Sequence, residues 1–177
     1  MVEFALQQAI ALDFSHYAKL DVTRLEFLSE VRDMCAANKC NMYNKSWVCP
    51  PACGDLSVSV DQASAYTEGI LVQTTGTLDD VFDYSEMKDI GKRHSEKFRI
   101  YIKTLKEHYP DLLALGSGAC SLCSSCSYPE EPCRNPNEAV SSMEAYGLFV
   151  SKVCSDNNLG YYYGEGTITY TSCALLI

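Results

Sequence analysis

The sequence predicts an α/β fold: a single domain, residues 1–177, with a central mixed or parallel sheet flanked by helices and two cysteine-rich cluster-binding loops. Three observations lead there. A chain of 177 residues, 47% hydrophobic and 21% charged, fits one folded unit that buries roughly 70% of its surface, and excludes a disordered chain. Strand-like and helix-like segments alternate along it, the pattern left by helices laid on a sheet. Eight of the ten cysteines fall in two short windows, residues 35–53 and 120–133, while Cys154 and Cys173 stand alone.

The elements follow in order. His16 to Val22 carries a weak strand signal, and Ser57 to Thr67 mixes polar and apolar residues as a helix does. Gly69 to Leu78 holds Ile70, Leu71, Val72 and β-branched threonines, a strand composition. A long helix follows to about His108, with Asp79 and Asp80 as caps, Ile90, Phe98, Ile102 and Leu105 near helical spacing, and Tyr109-Pro110 as the stop. Leu112 to Gly118 reads as a short buried strand that delivers the chain into the second cysteine window. Asn137 is expected to cap a helix carrying Glu138, Ala139, Val140 and Met143. A further helical piece, Gly147 to Asn157, precedes a turn at Asn157-Asn158-Leu159-Gly160, and Thr167 to Ile177 closes the sheet as a strand.

Several function classes are excluded at this level. Fourteen Lys plus Arg against 23 Asp plus Glu give a net charge of −9, which argues against a phosphate-tracking surface and hence against nucleic acid as a partner. The first twenty residues carry Glu3, Gln7 and Gln8 and no basic leader, and no window reaches the ~18 apolar residues of a membrane span. The expectation is a cytoplasmic protein without a membrane partner. No P-loop, no G-x-S-x-G elbow and no G-x-G-x-x-G after a strand is present. A reducing compartment disfavours disulfides and turns grouped thiols into candidate metal ligands or redox centres.

The second window carries the stronger signal. Cys120, Cys123 and Cys126 are separated by two residues each, a spacing that curls three thiolates around one side of a metal centre with intervening N–H groups near sulfur. Gly116, Gly118 and the serines at 121, 124 and 125 keep that loop permissive. Cys133 is the fourth candidate ligand, after a six-residue spacer stiffened by Pro129 and Pro132. Arg134 either donates to an anionic cluster or pairs with Glu130 or Glu131. The donor set suits a 4Fe-4S cluster, with structural zinc as the alternative, since zinc sites normally bring separated two-cysteine knuckles together.

The first window, Cys35, Cys40, Cys49 and Cys53, is looser. Met42, Tyr43 and Trp47 are candidates to wall off solvent, and Pro50-Pro51 fixes the path after Cys49. Ligation by Cys35, Cys40 and Cys49 alone would leave one iron of a cubane open for substrate, whereas closure by Cys53 would favour electron transfer. Buried, unligated thiols are the other reading of these residues.

With these motifs in view the chain resembles the predicted metal-binding, cysteine-rich family known as domain of unknown function 2284. The resemblance rests on Cys35, Cys40, Tyr43, Trp47 and Cys49-Pro50-Pro51, on Cys120, Cys123, Cys126 and Pro132-Cys133-Arg134-x-Pro136, and on Ser142-Met143-Glu144-Ala145-Tyr146-Gly147. It implies metal or iron–sulfur binding in the cytoplasm of anaerobes and assigns no reaction. Cys53, Cys154 and Cys173 lie outside its pattern.

His16, His94 and His108 are scattered and read as surface residues, while Tyr161 to Tyr163 read as a core edge or interface, with stacking on a flat ligand as the sharper alternative. The expected function is an iron–sulfur protein with one or two 4Fe-4S centres, acting in electron transfer or redox support of a protein partner. A zinc-stabilised interaction module and a metal carrier are the alternatives.

Overall fold

The computed structural model describes residues 2–80 and 82–177. In chain order its elements are α1 (Glu3–Ala11), β1 (His16–Asp21), a 3₁₀ turn (Val22–Arg24), α2 (Ser29–Ala36), α3 (Leu56–Ala63), β2 (Glu68–Thr77), α4 (Tyr84–Lys106), β3 (Leu113–Leu115), a second 3₁₀ turn (Glu144–Tyr146), α5 (Val150–Asp156) and β4 (Thr167–Leu176). None of its helices is long and apolar enough to cross a membrane.

The four strands form one sheet in the order β1-β2-β4-β3, and each neighbouring pair is antiparallel. Strand–helix–strand alternation pointed to parallel neighbours. Because β2 and β3 both run opposite to β4, they do run in the same direction across the α4 connection. The closing strand, however, inserts between them, as in a split β-α-β unit.

Both faces of the sheet are covered, which is why β2 and β4 each carry an uninterrupted apolar run, Ile70–Val72 and Cys173–Leu176. Ile70, Val72, Ala174 and Leu176 point to one face, where they meet Ala5 and Ala9 of α1 and Phe98, Tyr101, Ile102 and Leu105 of α4. Leu71, Leu115, Cys173 and Leu175 point to the other, against Ala63 of α3, Tyr146, and Val153 and Cys154 of α5. Alternation along a strand sends successive side chains to opposite layers. Cys154 and Cys173 are therefore small core residues, with burial pushing both thiols up.

Three local expectations, the α4 cap, the helix at Asn137 and the exposure of His94, are corrected by the structure. Asp83, rather than Asp79 or Asp80, caps α4, because its carboxylate accepts from the Ser85 and Glu86 N–H groups, while Asp80 caps its own turn at Phe82. No helix starts at Asn137. The Asn135 carbonyl closes a turn with Glu138 and Ala139, and Gly116 then pairs with Ser141 to Met143, which draws that segment out alongside the end of β3. Helices α1 and α2 had no counterpart in the expected order.

His94 is fully buried, not on the surface, and its Nδ1 and Nε2 lie 2.9 and 2.8 Å from Thr74 Oγ1 and Ser172 Oγ. Desolvation, with Lys97 nearby, lowers its pKa to about 4, so it is held neutral at the sheet surface. His16 and His108 are not so buried, and they stack on Tyr163 and Phe4.

Candidate metal centre

The two cysteine windows lie against each other. Trp47 of the first window donates its indole N–H to the Glu131 carbonyl of the second at 3.0 Å, and its ring meets Tyr128 edge-on with centroids 4.9 Å apart. Tyr128 in turn donates to Asn44 at 2.8 Å. Each aromatic thus spends its polar end on the other loop.

All four cysteines of the second window, Cys120, Cys123, Cys126 and Cys133, line one small cavity of about 20 Å³. Ser46, Trp47 and Val48 of the first window form its far wall. The loop is tied shut from inside: Ser127 Oγ donates to the Pro132 carbonyl at 2.8 Å, and Arg134 Nη1 to the Ser125 carbonyl at 2.9 Å. That contact is neither of the two roles expected for Arg134. Its guanidinium holds the backbone between Cys123 and Cys126.

Donors converge on the sulfurs themselves. Asn135 Nδ2 lies 3.3 Å from Cys123 Sγ, and the Leu122 N–H points at Cys120. Burial alone would raise the Cys126 thiol, but the N–H groups of Tyr128, Trp47 and Ser127 and the Ser46 hydroxyl outweigh it and hold that thiol below its ordinary value. Cys120 stays high through burial, with the other three cysteines raising it further despite the Leu122 donor.

In the first window Cys35, Cys40 and Cys49 line a second, larger cavity of about 580 Å³. Tyr43 and Phe149 form part of its apolar lining, Glu144 and Tyr161 line it as well, and Gly118 and Ala119, just before Cys120, bring the second window to it. Gly118 has a φ of +70°, the left-handed turn expected of a glycine there. Burial raises the Cys35 thiol and pushes Cys49 up to about 11, and each of the two is raised further by Cys40 and Cys53.

Cys53 is placed differently. It does not line the cavity; its sulfur lies 4.0 Å from Arg32 Nη1 and 4.0 Å from the Ala145 carbonyl. Burial raises this thiol, and the Arg32 guanidinium opposes that rise. Arg32 itself, on α2, donates to the Ala145 and Gly54 carbonyls at 2.7 Å each, so one side chain ties the helix, the end of the first window and the second 3₁₀ turn together.

Two residues of the site gave little or no sign in the sequence. Ser46 is 2% exposed, and its hydroxyl lies between the two sets, close enough to lower both the Cys49 and the Cys126 thiols. Glu144 appeared only within a motif of the resemblance, yet it faces Cys35 as the strongest charged neighbour of that thiol. Trp47 walls the second cavity and not the first, and Tyr161 joins the first site while Tyr163 serves the core by donating to Gln73 at 2.6 Å. Among the described residues no three His, Cys, Asp or Glu side chains are already drawn together around a single ion position.

A family model described as a predicted metal-binding protein, DUF2284, matches residues 18–176. No curated protein and no solved structure matches the chain.

Proposed function

Because the chain belongs to the DUF2284 family of predicted metal-binding proteins, we propose that it is an iron–sulfur protein that carries electrons for, or otherwise supports the redox chemistry of, a cytoplasmic protein partner. Cys120, Cys123, Cys126 and Cys133 would hold one 4Fe-4S cluster, and Cys35, Cys40 and Cys49 a second centre.

The observation that carries this reading is the second cavity, where four thiols from one short loop share a walled space. The donor chemistry fits the group. An anionic thiolate-ligated core is stabilised by N–H and O–H groups aimed at sulfur, and Leu122, Asn135, Trp47, Ser127, Tyr128 and Ser46 supply them. When bound, such a cluster supplies one-electron chemistry. The protein's own contribution is burial, hydrogen bonds to sulfur and an indole between loop and solvent.

Iron and acid-labile sulfide content, with a visible spectrum, on protein purified without oxygen or added metal tests the proposal. About eight of each per chain supports two cubanes and about four supports one. A colourless protein carrying zinc overturns the redox reading in favour of a zinc-stabilised interaction module.

A further inference from the structure

Among the described residues only two buried side-chain polar atoms lack a hydrogen-bond partner, Ser59 Oγ and Glu144 Oε2. A carboxylate oxygen removed from water and left unpaired is costly, because each such acceptor forfeits hydration without compensation. Glu144 stands on the second 3₁₀ turn at the cavity that Cys35, Cys40 and Cys49 line.

Its position is fixed from both sides. The Ser142 hydroxyl accepts the Ala145 N–H at 3.1 Å, and Arg32 holds the Ala145 carbonyl. Gly147 ends the turn at a φ of +79°, a conformation glycine adopts freely, and an added Cβ would crowd the Leu28 carbonyl at 3.0 Å. The sequence thus holds in place an acid whose Oε2 has no hydrogen-bond partner within the protein.

Cys53 is the other candidate for a fourth ligand of the first centre. Its sulfur sits between Arg32 and the Ala145 carbonyl and is not part of the cavity wall.

We propose that Glu144 is the fourth ligand of the first metal centre, its carboxylate oxygen completing a Cys35, Cys40 and Cys49 set from within the cavity. The inference rests on the reading that these three cysteines hold a metal centre. A carboxylate is a harder ligand than the thiolates beside it and is held less firmly by iron. The first centre is therefore the exchangeable one, with its labile position facing the about 580 Å³ cavity, whereas the second is closed by four thiolates.

The test compares anaerobically purified wild type with C35S, C53S, E144Q and E144C, reading iron retained against a chelator and the electron paramagnetic resonance signal of the reduced protein. Removing one ligand is expected to speed loss of first-centre iron by about ten- to a hundredfold in E144Q, with an altered signal. E144C should restore retention to wild type or beyond, and C53S should behave as wild type. Unchanged retention and signal in E144Q, or loss of the centre in C53S, would overturn the assignment. If C35S keeps all its metal, the underlying reading fails first and the role of Glu144 falls with it; if C35S loses a centre and E144Q does not, only the latter is wrong.

Discussion

Replacing Arg32 by methionine keeps an apolar stem of similar length and removes the guanidinium that bridges three segments. Two hydrogen bonds of 2.7 Å are lost, to the Ala145 and Gly54 carbonyls. A hydrogen bond from a charged donor contributes about 1.5–3 kcal/mol, and water reaches the half-buried carbonyls once the donor is gone, so the net cost should be about 3 kcal/mol. At about 1.4 kcal/mol per tenfold, that is roughly a hundredfold rise in local opening of the first window. Chelator challenge at neutral pH should then strip first-centre metal about a hundredfold faster and leave the second centre untouched. Denaturant unfolding should show a lower midpoint, and Arg32→Lys, which can reach one carbonyl at a time, should fall between the two. Equal loss from both windows, or a midpoint and loss rate matching wild type, would refute the idea that Arg32 fixes the first site.

Two further outcomes follow from other parts of the structure. His94 is held near a pKa of about 4 against an ordinary 6.5, so the unfolded state binds the extra proton and stability falls as pH drops below about 6.5, levelling off near pH 4; wild type should lose about 2.5 kcal/mol more than His94→Gln between pH 7 and about pH 4.5 in denaturant titrations, and parallel profiles would dismiss the burial argument. Ser46→Ala removes a hydroxyl that lowers both the Cys49 and Cys126 thiols, and since donors to sulfur favour the reduced state, both of the proposed centres should move to lower potential in a redox titration; a shift confined to one would show that the hydroxyl serves a single window.

Legibility in the sequence tracked how local each cause was. Strands β2 and β4 were plain because helices cover both their faces and bury the apolar runs Ile70–Val72 and Cys173–Leu176 on both sides, whereas β1 buries only Leu20 fully and gave a faint pattern. The direction of pairing was not legible, since it depends on β4 returning between two strands that precede it. Helix α1 buries only the small Ala5 and Ala9 among its residues, which leaves little amphipathic contrast to read. The grouping of Cys120, Cys123, Cys126 and Cys133 followed from spacing alone. Histidine 94, by contrast, takes its burial from Thr74 and Ser172 on separate strands, and Glu144 gains its meaning only where the 3₁₀ turn meets a cavity built by distant loops.

The position of β4 has a consequence in time. Among the described elements it is synthesised last, yet it is the strand on which β2 and β3 both depend for pairing, so the sheet closes only through contacts between distant parts of the chain. Both cysteine windows leave the ribosome before that closure. Until residues 167–176 arrive, the eight thiols belong to a nascent chain with no finished framework and are open to any stray ion or oxidant nearby. If the two windows hold metal as proposed, their orderly loading is an event of late maturation, and a cell that makes this protein faster than it can finish it would accumulate unmetallated chain.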